Sequence, residues 1–198
     1  MRSHADEFRT FAGRNLSRQF DFLEATVKAG LSSGKKVVSH RVIRELNRQA
    51  VDLLCEHAGK YRKRNLCISN SRHVPPDHRQ VQKLMDQCLL YLGRNWQKKS
   101  SVHLAAFALW RLGWIHPFME GNGRTSRALC LLIICLKHQV WLPGKNLIPK
   151  QVRRHKAAYY KALRLADESY AEHGVPDLSF LEAYLHRLLF KGVSRLML

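Results

Sequence analysis

Apolar positions recur at helical spacing through most of this chain. Phe20, Leu23 and Val27 share one face and predict a helix over residues 16–29, with Gly30 as its stop. A second stripe, formed by Val42, Ile43, Leu46, Ala50, Leu53 and Leu54, follows Ser39, which can cap a helix reaching Cys55. A third, Val81, Leu84, Met85, Cys88 and Leu92, begins after Pro75-Pro76-Asp77. The run SVHLAAFALWRLGWI at residues 101–115 is apolar nearly all round, as a helix at the centre of a domain must be. Helical runs follow at 128–136 and 180–190. The pattern fails between Gly59 and Pro76, where Tyr61, Leu66, Ile68 and Val74 are mixed with Asn65, Ser69, Asn70 and Ser71. Two short strands joined by a polar turn are predicted there. The whole reads as an all-α domain of about seven to nine helices with one short β-hairpin.

Length changes this picture little, because 198 residues with 45 % hydrophobic content suit one well-buried domain and are few for two. Charge adds more. A formal net charge of +19 favours an acidic partner: nucleic acid, a nucleotide or an acidic protein. Five cysteines at 55, 67, 88, 130 and 135 show no paired spacing and no zinc pattern, and their odd number argues for a reducing cytoplasm. No segment has the length and apolarity of a membrane span, and the charged N-terminus has no apolar leader core. Delivery as a secreted effector by another signal stays open.

Chemistry concentrates in residues 116–127, HPFMEGNGRTSR. Pro117 discourages a helix through His116, and the turn Gly121-Asn122-Gly123 leads into a helix-favouring run. The turn therefore lies at a helix N-terminus, where unpaired N–H groups and the helix dipole attract anions. Arg124 and Arg127, three apart, can both reach that anion. Glu120 is the only Asp or Glu between Asp86 and Asp167. Beside a phosphate cradle it suggests Mg²⁺, which needs only one or two protein carboxylates when phosphates and water complete its shell. His116 can accept a proton near neutral pH, and the positive helix end should keep it neutral. Phe118 reads as an apolar anchor of the loop, and His103 as a satisfied core histidine.

This stretch resembles the signature of the Fic family, His-Pro-Phe-x-(Asp/Glu)-Gly-Asn-Gly-Arg-x-x-Arg, at every fixed position. The resemblance covers about residues 40–190, leaving 1–38 as an N-terminal helical extension of a single Fic-type helical domain. Gly59-Lys60-Tyr61-Arg62 is similar to the entry of the family's β-hairpin flap, and His73-Val74-Pro75-Pro76 to its exit. The resemblance implies that Leu66, Cys67, Ile68, Ser69 and His73 hold a target segment by main-chain pairing. It also implies a protein adenylyltransferase that moves AMP from ATP to a Ser, Thr or Tyr hydroxyl. His116 would be the base and Glu120 the Mg²⁺ ligand; Gly121, Asn122 and Gly123 would cradle the α- and β-phosphates, with Asn122 steadying the α-phosphate. Arg124 and Arg127 would bind the outer phosphates.

Three questions stay open at this level. Relatives of the same fold transfer phosphate, UMP, GMP or phosphocholine, and the base pocket is not legible. Residues 145–164 carry seven Lys or Arg and no acid. They read as a solvated helix face, as a nucleic-acid surface, or as a nucleotide lid in which Tyr159, Tyr160 and Leu163 meet the base. A basic nucleic-acid-binding protein is the reading from a different class, although binding alone needs neither His116 nor Glu120. Finally, many family members carry an inhibitory helix with Ser/Thr-x-x-x-Glu-Gly/Asn. Here the nearest match, Ser3 with Glu7, fails at Phe8. The expectation is a small acidic antitoxin-like inhibitor acting in trans; oligomeric state is not readable.

Overall fold

A computed structural model describes residues 4–34, 37–69, 71, 73–142, 152 and 156–193. Among these there are seven α-helices, one 3₁₀ turn at His78–Gln80 and no strand. The helices are α1 (His4–Ser33), α2 (His40–Val51), α3 (Val81–Asn95), α4 (Ser101–Ile115), α5 (Asn122–Lys137), α6 (Lys156–His173) and α7 (Ser179–Val193).

The largely apolar α4 is the centre. Leu104, Ala105, Ala106, Leu109, Trp110, Leu112 and Ile115 are all buried, against the equally buried Leu129, Ile133 and Ile134 of α5. Such fully buried aliphatic side chains contribute about 1.5–3 kcal/mol each. Around this pair, α1 lies on α2 and α5, α3 lies on α4, and the α6/α7 pair closes the far side through α7. His103 is satisfied, as expected of a core histidine, by the Tyr91 hydroxyl and the Glu182 carboxylate, each at 2.8 Å.

Ser39 caps α2 by accepting the Val42 N–H at 3.3 Å. Three expectations are corrected. Gly30 does not stop α1, which runs to Ser33. A Cβ at Gly30 would stand 2.7 Å from Leu136, so glycine lets α1 approach α5 within a helix it does not end. Next, α2 ends at Val51 rather than Cys55, because Asp52 leaves the helical conformation (ψ 138°) and Leu53 then turns left-handed with φ +60°. Last, the β-hairpin is absent among the described residues. The Arg62 side chain there holds the carbonyls of Arg64 and Pro76 as well as those of Ile115 and His116, and the described residues between Arg62 and Asp77 form an irregular loop. A turn closed by the Ser71 N–H on the Ile68 carbonyl replaces the ladder.

Candidate active site

The site grows from the way α4 ends. Pro117 cannot continue a helix, and His116 takes the left-handed conformation (φ 50°, ψ 58°) while its N–H closes the last turn on the Leu112 carbonyl at 2.9 Å. A non-glycine residue there carries backbone strain of about 1–2 kcal/mol and needs support. Arg62, only 3 % exposed, supplies it. Its Nε donates to the His116 carbonyl at 2.9 Å and its main-chain N–H to the Pro117 carbonyl at 2.8 Å. Tyr61 bridges Phe118 by main chain, and their rings meet at 5.3 Å.

This geometry decides which nitrogen of His116 is basic. Nδ1 lies 3.3 Å from the Gly113 carbonyl, which can only accept, so Nδ1 carries the hydrogen and Nε2 keeps the lone pair. Burial holds the imidazole below its ordinary pKa, helped by the positive charge of Arg62 and by the neighbouring His73; the Gly113 bond and Glu120 oppose this. The neutral form was expected from the helix end alone. Desolvation is the larger cause.

The loop from Phe118 to α5 is held from both sides. Asn122, 4 % exposed, accepts the Phe118 N–H at 2.9 Å and donates to the Phe118 carbonyl at 2.8 Å. Its side chain thus clamps the loop. From α2, Asn47 donates to the Glu120 carbonyl (2.8 Å) and Thr125 Oγ1 (3.2 Å), and accepts from the Gly59 N–H (2.9 Å). Gly121 has φ +78°, and a Cβ there would lie 2.5 Å from Val51. The first helical bond of α5 runs from the Thr125 N–H to the Gly121 carbonyl at 2.9 Å. The amides of Asn122, Gly123 and Arg124 precede it and form the anion-attracting helix end.

Beside these amides stand two guanidiniums. Arg124 donates to the Ala50 carbonyl at 2.6 Å and lies 3.9 Å from the Glu120 carboxylate, which is itself largely exposed. Arg127 lies over Gly123, where a Cβ would meet Nη1 at 3.0 Å. Among the described residues no group of three His, Cys, Asp or Glu could hold a metal ion. A lone exposed carboxylate beside a phosphate cradle nevertheless suits Mg²⁺ carried in by a nucleotide.

One cleft of about 370 Å³ collects the expected residues. His116, Glu120, Gly121, Asn122, Gly123, Arg124 and Arg127 line one wall, and Leu66, Cys67, Ile68 and Ser69 the other. Met119, not anticipated, lines it too. Arg62 and Asn47 were also missed as site residues. Arg62 stood in the flap-entry motif, and Asn47 is a polar residue on the buried face of α2, which was the available signal. His73 stands outside the lining, its Nε2 donating to the Trp114 carbonyl at 2.7 Å. The expected base contacts do not reach the cleft. Tyr159 is buried against Tyr184 (6.0 Å), Tyr160 points to solvent, and Leu163 packs on the core. Of the basic stretch, residues 145–151 and 153–155 lie outside the described residues.

Fold and site together define a Fic-type helical domain. The chain belongs to the Fic/DOC family, whose model matches residues 37–134. It is similar to the protein adenylyltransferase Fic of Drosophila persimilis, 33 % identical over 172 residues that cover 82 % of this chain and 29 % of that protein. The Drosophila ananassae protein of the same name is 32 % identical over 172 residues, covering 82 % and 30 %. The chain thus spans about three-tenths of the length of these relatives. Among solved structures, a Fic domain containing signaling protein from Bacteroides thetaiotaomicron superposes with TM-score 0.74 at 20 % identity, covering 91 % of this chain and 70 % of that one. Fic-1 from C. elegans gives 0.66 at 22 %, covering 93 % and 52 %. These likenesses concern the fold.

Proposed function

We propose that this chain transfers AMP from ATP to a Ser, Thr or Tyr hydroxyl of a protein. The observation that carries the reading is that His116, its Nδ1 on the Gly113 carbonyl and its pKa held down by burial, lines the same cleft as the amide end of α5. In this reading the amides of Asn122, Gly123 and Arg124 bind phosphate oxygens, and Arg124 and Arg127 neutralise the outer phosphates. Glu120 would hold Mg²⁺, which supplies further charge neutralisation at the phosphates. His116 Nε2 takes the proton of the target hydroxyl as that oxygen attacks the α-phosphorus; the bond to the bridging oxygen breaks and pyrophosphate leaves. Positioning and charge stabilisation do most of the work. The names of the Drosophila relatives support the choice of AMP.

The decisive experiment incubates the chain with a cell lysate and ATP labelled at the α- or, separately, the γ-phosphate. Label from the α-phosphate on protein supports the reading; label from the γ-phosphate alone makes the enzyme a kinase. We propose further that residues 1–198 act as one domain, since α1 packs along α2 and α5. Restraint by an acidic polypeptide in trans is proposed from the net charge of +19, which would speed its association. A cytoplasmic setting is proposed from the cysteine content. No helix among the described residues is long and apolar enough to cross a membrane.

A further inference from the structure

The cleft has a second wall that the phosphate chemistry does not use. Residues 66–69 run along it with Leu66 and Ile68 half-buried and Cys67 and Ser69 exposed, the alternation of an extended segment. Their N–H groups make no main-chain bond among the described residues, and only the Ile68 carbonyl accepts one, from Ser71. A hydroxyl presented to His116 Nε2 from a polypeptide must pass along this wall.

Positive charge gathers in the chain just before this wall. Lys60, Lys63 and Arg64 are exposed, and none of their side chains pairs with a carboxylate among the described residues. Residues 57–76 contain no Asp or Glu. The acids that flank the run are Glu56, exposed on the same surface hollow as Lys60 but bonded to none of the three cations, and Asp77, engaged by Arg79 at 2.8 Å and by Asn65 at 3.2 Å. Arg62, between these cations, points inward to the carbonyls of Ile115 and His116, so the outward charge of the run comes from its neighbours. Arg64 is two residues from Leu66, roughly 7 Å of extended chain. A bound segment would therefore meet these cations within a few residues of its modified hydroxyl.

We infer that Lys60, Lys63 and Arg64 select the target: the modified hydroxyl lies in an extended protein segment flanked on one side by Asp or Glu. This rests on the adenylyl-transfer reading above for what happens to the hydroxyl, but not for the binding. A single nucleic-acid strand is the other acidic candidate, and it binds by stacking bases on exposed aromatic rings. This wall offers none, because the one ring in residues 60–69, Tyr61, packs on Phe118 and bonds His40. Unpaired main chain and alternating side chains suit a polypeptide strand.

Binding is measured apart from chemistry, by fluorescence anisotropy with the intact chain and labelled twelve-residue peptides of the form Ser flanked by Glu, by Gln or by Lys, and with a labelled poly-dT strand. The Glu peptide should bind about tenfold tighter than the Gln peptide, the sum of three exposed charge pairs, with the advantage shrinking as salt rises. The combined Lys60→Glu, Lys63→Glu and Arg64→Glu variant should reverse the order in favour of the Lys peptide. Lys63→Arg with Arg64→Lys should keep it. Circular dichroism and melting show whether the reversed variant folds, and the conservative pair tests the idea if it does not. Equal binding of the three peptides, tighter binding of the oligonucleotide, or an acidic preference surviving in the folded reversed variant would each overturn the inference. If acidic peptides bind but no α-phosphate label is transferred, the selectivity stands and the adenylyl-transfer reading fails.

Discussion

The two walls of the cleft are built on opposite principles. On the wall carrying His116 and the start of α5, nearly every buried polar group has a partner: Asn122 on Phe118, Asn47 on three groups, Arg62 on the strained end of α4. On the facing wall, residues 66–69 leave their N–H groups without main-chain partners among the described residues, and three cations nearby in the chain are exposed. Phosphate chemistry needs donors fixed before the substrate arrives, because stabilising a charged transition state works best when nothing reorganises. A surface that receives another chain needs the reverse, open backbone groups that a guest can satisfy.

The largest effect that would break this contrast is at the base. His116→Ala should lower transfer of α-phosphate label by about 10²–10⁴-fold while the helical spectrum and ATP binding remain. Undiminished transfer by a folded variant would remove His116 from the chemistry. The same residue sets the pH profile. Transfer needs neutral imidazole, and burial lowers the folded pKa below its ordinary 6.5. The rate should therefore hold its plateau as pH falls past 6.5 and decline only at a lower value. A midpoint at or above 6.5 in kcat/KM would contradict the burial argument.

Next in size come the clamps of the phosphate wall. Asn122→Ala leaves the buried Phe118 N–H and carbonyl without partners, at about 1–3 kcal/mol for each orphaned group, read as a lower urea midpoint. Gly121→Ala adds a Cβ 2.5 Å from Val51 at φ +78°, and about 1–3 kcal/mol of strain and overpacking is expected, with weaker ATP binding. Ser69→Ala on the exposed wall should stay within about 0.5 kcal/mol of the parent. Equal losses on both walls would erase the distinction.

What could be read from the sequence follows the same division. Around α4 and α5 it was legible: the run apolar nearly all round matches Ser101–Ile115, Ser100 caps it by accepting the His103 N–H, and the residues of the signature converge on one cleft. Local rules decide there, because a helix buried on all sides and a proline after it leave few choices. Elsewhere long-range contacts overrode local signals. Gly30 looked like a stop because nothing nearby in sequence revealed that Leu136 would lie against it. The apolar and polar residues mixed at 61–74 looked like a hairpin, but Arg62 faces inward to main-chain carbonyls up to 54 residues away, and no local pattern encodes that. Tyr159 and Tyr160 lie on different faces of α6, and periodicity alone did not say which would face a nucleotide.

The smallest expected effect tests how far the rigid wall extends. Asp86 on α3 accepts from His40 Nε2 at 2.8 Å, and as a carboxylate it can only accept, so this nitrogen carries the hydrogen. His40 Nδ1 is then left to accept the Tyr61 hydroxyl, 2.8 Å away. Burial keeps that hydroxyl protonated far above neutral pH, so it remains a donor under working conditions. The chain of directed bonds runs from α3 through His40 to a ring that packs on Phe118, one residue past Pro117. Because Asp86 and His40 are both partly exposed, water can replace what is lost. His40→Ala should therefore cost only about 1 kcal/mol, read as a lower urea midpoint, and Tyr61→Phe about as little. Neither should move the pH midpoint of transfer, since Arg62 and the Gly113 carbonyl hold His116 without them. A shifted midpoint in either variant would show that the fixed wall continues through Tyr61 to the surface of α3.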